Sequence, residues 1–146
     1  MYYNTKMTFS EKAFTLVELL IVIAIIGILA SVILSRLQNA TEEGLETKTI
    51  SELTVVGKRA AIEESKSLTY DVVCGSNGFT QATSIAEQIA AIELFTGDTV
   101  TCNSQTQEYA VSVPINTTEH WCVDSNGVRK KIPNALAISP AEYACP

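Results

Sequence analysis

Phe14-Thr-Leu-Val-Glu-Leu-Leu-Ile-Val-Ile-Ala-Ile-Ile-Gly-Ile-Leu-Ala-Ser-Val-Ile-Leu34 decides how the rest of this 146-residue chain is read. As a helix the stretch is about 31 Å long, the thickness of a bilayer's hydrocarbon core. Its many β-branched residues are indifferent helix formers in water. In lipid, however, the backbone must close its own hydrogen bonds, and a helix does that. Gly27 and Ala30 form a small-residue notch where a second helix can approach. Glu18 is the one charge in the run, and near the edge of a bilayer core a carboxylate costs about 2–3 kcal/mol. Such a group calls for a partner, or else snorkels to the headgroups.

Outward from this stretch, residues 1–13 are polar, with Lys6 and Lys12 ahead of the apolar run and Met7 as a second possible start. Positive flanks stay cytoplasmic, so the C-terminal part of the chain is expected outside. A secretory signal places small residues after its apolar core, and Ala30-Ser31 is such a pair. The helical pattern nevertheless runs on past it, and the core is long for a signal. The alternative is a cut before the core, between Ala13 and Phe14.

The run Lys12-Ala13-Phe14-Thr15-Leu16-Val17-Glu18-Leu19-Leu20 resembles the processing site of type IV pilins and of the related pseudopilins of type II secretion and DNA-uptake systems. The resemblance covers about thirty residues. It implies that a prepilin peptidase cuts after Ala13, that the new N-terminal Phe14 is N-methylated, and that the apolar core is retained. The family usually has Gly before the cut; Ala13 is the small residue here. After cleavage the Phe14 amine lies one helical turn from Glu18, since i and i+4 share a face. It can pair with Glu18 of its own chain or of a neighbour. In a filament core without lipid or water, an unpaired carboxylate is worse than in the membrane, so pairing selects the axial stagger.

Beyond Arg36 the sequence becomes amphipathic. Leu37, Ala40, Leu45, Ile50, Leu53, Ala60 and Ala61 recur at helical spacing among Glu, Lys and Arg. One helix is predicted from about Phe14 to about Lys66, some 80 Å long. Leu53, Val56 and Ala60 form a stripe that a sheet can cover. Gly44 and Gly57 each cost about 1 kcal/mol relative to Ala and read either as soft points or as tolerated on an exposed face. Many major pilins have a helix-bending proline where this chain has Ser35, which predicts a straighter helix and leaves Gly44 as the candidate for local melting.

From Ser67 the chemistry changes. Tyr70–Cys74 reads as a short strand or extended loop, and Gly75–Gly78 as a turn cluster. Ser84-Ile85-Ala86-Glu87 has capping-box spacing, and Ile85, Ile89 and Ile92 extend it as a short amphipathic helix ending near Gly97. Strands follow at Thr99–Cys102, Gln107–Val113, Glu119–Val123 and Val128–Ile132. In the second, Tyr109, Val111 and Val113 alternate with Glu108, Ala110 and Ser112, the pattern of a half-buried strand. Asn126-Gly127 is a hairpin signal. The phrase Trp121–Gly127 resembles a sheet turn of pilin-like heads. The tail from Pro133 is irregular, with Cys145 tying it back.

The predicted fold class is α+β and pilin-like, a long N-terminal helix packed on a small antiparallel sheet. Residues 1–13 are a cleaved leader, 14–34 the transmembrane and assembly half of the helix, and 35–146 a periplasmic or extracellular head. Four cysteines, Cys74, Cys102, Cys122 and Cys145, all follow the apolar run, which suggests disulfides in an oxidising compartment. Of the three possible pairings, Cys74 with Cys102 and Cys122 with Cys145 is preferred. No C-x-x-C pair exists for zinc. Asp124-x-Asn126-Gly127 faintly suggests calcium, but Val128-Arg129-Lys130 follows where further ligands belong, so it reads as a turn. Asn116-Thr117-Thr118 matches a glycosylation acceptor, a short and common pattern. His120-Trp121 reads as strand residues packing in the sheet.

No catalytic constellation, cofactor loop or metal set stands out, so the chain is read as a structural subunit and not an enzyme. Net charge is −6, and Arg129-Lys130-Lys131 is the sole basic run, so nucleic acid is not expected as a partner except through a DNA-uptake pilus. The resemblance implies self-polymerisation and contact with other pilin-like subunits, with a prepilin peptidase/methylase, and with an inner-membrane assembly platform. The precursor belongs in the inner membrane and the product in a surface pilus or periplasmic pseudopilus. A membrane-anchored binding domain that never polymerises is the reading from a different class.

Overall fold

A computed structural model describes residues 14–146. The long helix α1 runs Leu16–Ser67. Two compact units divide within it, one ending at Ala40 and one comprising Thr41–Pro146. In the first, α1 is a single helix whose side chains have no tertiary cover from that unit; it is taken up below as the site.

The second unit is the head. After α1 come the single turn α2 (Asp71–Cys74) and α3 (Thr83–Thr96). Then follow four strands, β1 (Thr101–Gln105), β2 (Glu108–Pro114), β3 (His120–Asp124) and β4 (Arg129–Ile132). They form one antiparallel sheet in sequence order. Val111 pairs with Cys102 on one side and Val123 on the other, and Val123 pairs with Arg129. Tyr109, Val111, Val113 and Val123 therefore share the face toward α1, where Leu53, Val56 and Ala60 are fully buried among them. Trp121 packs against this same core.

Gly57 is where helix and sheet come closest. A Cβ there lies 2.7 Å from Val123 Cγ1 and 3.5 Å from the Tyr109 hydroxyl. The residue is buried, so it is neither a soft point nor an exposed-face tolerance; it is a groove that the sheet needs. The Tyr109 hydroxyl donates to the Gly57 carbonyl at 3.4 Å. Burial pushes its pKa up to about 12, with Tyr70 and Asp124 adding to the effect. Gly44 is open, with nothing within 4 Å of a Cβ, and the helix continues through it.

Three local expectations are corrected. Tyr70–Cys74 is neither strand nor loop, because Asp71 gathers the chain into the α2 turn. Thr69 Oγ1 (2.7 Å) and Thr106 Oγ1 (3.2 Å) donate to Asp71 Oδ2, while Ser76 Oγ and Asn77 Nδ2 (both 2.8 Å) donate to Oδ1. The Ser84 capping box does not form. α3 starts two residues earlier, with Ala82 at the N-cap, and the Ser84 hydroxyl donates to Glu63 of α1 at 3.0 Å. Arg59 of α1 also donates to the Ser84 carbonyl. Finally, β2 is buried on both faces. Ala110 and Ser112 are covered by the tail, whose Leu136 packs with Ala110, Cys122 and Ile132 and whose backbone N–H donates to Ser112 Oγ at 3.3 Å. Polar Asn103 holds the same tail by donating to the carbonyls of Ala137 and Glu142, at 2.8 and 2.9 Å.

Candidate functional site

The first unit carries the stretch on which the sequence turns. Every residue from Phe14 to Leu34 is exposed, Phe14 at 81%. A helix apolar on all sides and exposed along its length needs lipid or other helices. The segment is long and apolar enough to cross a membrane. Gly27 has nothing within 4 Å of a Cβ, so its notch is open within the subunit. Ser31 donates to the Ile28 carbonyl at 2.8 Å, which lets a hydroxyl sit in apolar surroundings with its proton satisfied. Farther along, Val32, Ile33, Leu37 and Ala40 line a shallow apolar groove beside Arg36.

At the helix start Thr15 and Glu18 form a reciprocal cap. The Thr15 N–H and hydroxyl donate to Glu18 Oε2 at 3.1 and 2.9 Å, and the Glu18 N–H donates back to Thr15 Oγ1 at 3.3 Å. This is a capping box, and Thr15-x-x-Glu18 has its spacing. From sequence a capping box is expected only at Ser84; Thr15 has the same spacing, but there the carboxylate reads first as a membrane charge. The box turns the Glu18 carboxylate toward the helix N-terminus, where the unsatisfied N–H groups also favour negative charge. Ala13, the residue before the expected cut, lies outside the described residues, as does the rest of the leader with Lys6, Met7 and Lys12.

In the head, Cys74 is joined to Cys102 and Cys122 to Cys145, the preferred pairing. The first bond ties α2 to β1, and the second ties the C-terminal tail to β3. Asp124 closes the hairpin. Its Oδ1 accepts the N–H groups of Asn126 and Val128, both at 3.0 Å, and its Oδ2 accepts the Cys145 N–H at 2.9 Å. Both oxygens are thus used by the backbone, and Asp124–Gly127 is a turn and tail anchor. Among the described residues no group of three or more His, Cys, Asp or Glu is placed to hold a metal ion.

Asn116 is a turn residue of the β2–β3 connection. Its side-chain oxygen accepts the N–H groups of Thr118 and Glu119, both at 2.9 Å, and its amide donates to Glu119 at 3.1 Å. Glu119 and Glu46 both pair with Lys131, at 3.2 and 2.6 Å. Those partners hold the Lys131 ammonium above its ordinary range, Glu46 most, and hydrogen bonds from Asn116 and then Lys131 hold Glu119 below its own. His120 and Trp121 are half-buried strand residues.

Residues 8–34 match the family model for the prokaryotic N-terminal methylation motif. The chain is 36% identical over 85 residues to two fimbrial proteins of Pseudomonas aeruginosa, an alignment covering 51% of this chain and 52% of each of them. It is 47% identical over 51 residues to fimbrial protein Q of Moraxella bovis, covering 35% of this chain and 32% of that one. The chain thus spans about half the length of the Pseudomonas relatives and less of the Moraxella one. No solved structure matches it. The methylation motif and the fimbrial relatives together support the type IV pilin family, whose architecture the long apolar helix and small antiparallel sheet share.

Proposed function

We propose that this type IV pilin-like chain is a structural subunit of a surface pilus, trimmed between Ala13 and Phe14 and polymerised through residues 14–34. The observation that carries the reading is the helix surface from Phe14 to Leu34, exposed on every side and bearing one carboxylate, behind a matched methylation motif. In the precursor that surface faces lipid, with residues 35–146 outside the inner membrane. In the filament it faces the same segment of neighbouring copies. Lipid tails are as apolar as the helix, so transfer from water supplies no driving force. Close packing at notches such as Gly27 and satisfaction of Glu18 decide register instead.

Cleavage turns the Phe14 nitrogen into a cation one turn from Glu18. The Thr15 cap supports this role, because it already directs the carboxylate to that end of the helix. The family likeness implies a prepilin peptidase and an assembly platform in the inner membrane as partners. A role in adhesion, motility or DNA uptake is the finer part of the proposal.

The test is Glu18→Ala in cells that make the full chain, with sheared surface filaments as the readout. Loss of filaments, with precursor still present in the membrane fraction, is expected. Unchanged filaments overturn the assembly role, and a chain that stays monomeric in the membrane whether or not Glu18 is present favours the non-polymerising anchor.

A further inference from the structure

Two of the chain's asparagines precede glycine, Asn77 before Gly78 and Asn126 before Gly127. Such a pair is chemically reactive, because a glycine nitrogen has no side chain beside it and can close on the asparagine Cγ. The two turns are held differently. At Asn126 the nucleophile is occupied, since the Gly127 N–H donates to the Asp124 carbonyl at 3.1 Å. The N–H groups of Asn126 and Val128 on either side donate to Asp124 Oδ1, both at 3.0 Å. At Asn77 one bond spans the turn, from the Phe79 N–H to the Ser76 carbonyl at 2.9 Å. The Gly78 N–H has no hydrogen-bond partner among the described residues. Asn77 and Gly78 are exposed, with φ of 50° and 85°, and a Cβ on Gly78 meets nothing within 4 Å. The peptide between them has room to rotate.

The Asn77 side chain, by contrast, is held. Its Nδ2 donates to Asp71 Oδ1 at 2.8 Å. Asp71 is 2% exposed and has no ion-pair partner among the described residues. Its hydrogen-bond donors, Thr69 before the others, hold the carboxyl below its ordinary range, so it is an anion at neutral pH. A buried anion without a cation therefore faces the nitrogen that leaves when Gly78 closes on Asn77.

We propose that Asn77-Gly78 is a self-modifying site, at which Asn77 loses its amide nitrogen as ammonia and Asp71 assists the departure. The Gly78 nitrogen bonds to Asn77 Cγ and gives its proton to water. Nδ2 takes up a proton from water, and the Cγ–Nδ2 bond breaks to release ammonia and leave a five-membered imide. Water then opens the imide at either carbonyl, giving aspartate or isoaspartate. Nothing is oxidised or reduced, water is the one co-reactant, and no assembled partner is needed. Positive charge grows on Nδ2 as it is protonated, and the Asp71 carboxylate is already in place to stabilise it. The product adds a negative charge to a chain of net charge −6 and sets a carboxylate against Asp71 where an amide N–H had been. The α2 turn that Asp71 gathers is thus loosened by the chain's own chemistry after it has folded.

The experiment incubates the folded full chain in detergent at mildly alkaline pH in heavy-oxygen water, with peptide mass mapping over time. Aspartate and isoaspartate carrying heavy oxygen are expected to accumulate at position 77 about tenfold faster or more than at position 126, whose turn must first release a hydrogen-bonded N–H. In urea, with both turns gone, the two positions are expected to react alike. Asp71→Asn is expected to slow position 77 of the folded chain about tenfold. Ser76→Ala loosens the same turn but keeps the carboxylate, and is expected to leave the conversion unslowed. Equal rates at the two positions in the folded chain, or a faster rate at 126, overturn the site. Conversion in Asp71→Asn as fast as in the unaltered chain or faster, or equal slowing by Ser76→Ala, overturns the assistance by Asp71.

Discussion

Gly57→Ala sets two effects against each other. Removing an interior helix glycine stabilises by about 1 kcal/mol, as at any exposed position. At Gly57, however, the new methyl meets Val123 Cγ1 at 2.7 Å, about 1 Å closer than carbon atoms comfortably pack. Val123 is β-branched, 1% exposed and held between β2 and β4, so it has no free rotamer to retreat into. Overpacking of this kind costs about 1–3 kcal/mol. The net expectation is a loss of about 1 kcal/mol, against a gain of about 1 kcal/mol for Gly44→Ala, where a Cβ meets nothing. For a head of this size the loss lowers Tm by about 4 °C.

Urea unfolding of the full chain in detergent, followed by Trp121 fluorescence with disulfides intact, reads both variants. The decisive comparison adds Val123→Ala, which removes the opposing methyl. In the Val123→Ala background, Gly57→Ala is then expected to stabilise, a coupling of about 1–3 kcal/mol. Additivity within about 0.5 kcal/mol, or a Gly57→Ala as stabilising as Gly44→Ala, refutes the close-approach account.

Other perturbations follow from the head's polar anchors. The hydroxyl of Thr69 first, with Ser76, Asn77 and Thr106, holds the Asp71 carboxyl below its ordinary 3.8, so its contribution is full above that pH and lost as pH falls below it. Asp71→Asn is expected to unfold at lower urea at neutral pH, with the gap to the unaltered chain closing on acidification; a gap that is constant with pH contradicts this. Replacing Cys122 and Cys145 by Ser opens a loop of sequence separation 23 and is expected to cost about 3 kcal/mol, read by urea unfolding. In the same variant, amide exchange should quicken at Ser112 and Leu136, since the tail leaves the outer sheet face; unchanged protection there would show that Leu136 and Asn103 hold the tail without the bond.

The helix was legible because its signals are long: an apolar run of bilayer length and then a 3.6-residue stripe through Leu53, Val56 and Ala60. The strands were legible from β-branched runs and the Asn126-Gly127 turn. What escaped were features set by partners distant in sequence. Nothing local to Gly57 announces that Val123 will press on it. Ser84 has the spacing of a cap, but Glu63 and Arg59 of another helix claim it. Ala110 and Ser112 look like an outward face until Asn103 and the second disulfide lay the tail over them. Asp71 carried a usable clue, since Thr69-x-Asp71 ahead of Ser76-Asn77-Gly78 supplies short polar donors around a carboxylate, the makings of a turn. At the start of the apolar helix, Thr15-x-x-Glu18 also had the cap's spacing in plain view. Cleavage after Ala13 and pairing of the Phe14 amine with Glu18 would follow synthesis, and a fold that begins from the uncut chain carries no trace of them.

Whether this chain is trimmed and assembled as proposed is read from its intact mass, measured on material extracted from membranes and on sheared surface material. The expected species begins at Phe14 and carries one added methyl group, with both disulfides closed. A chain that retains Met1, or one that begins after Ser31, contradicts that expectation.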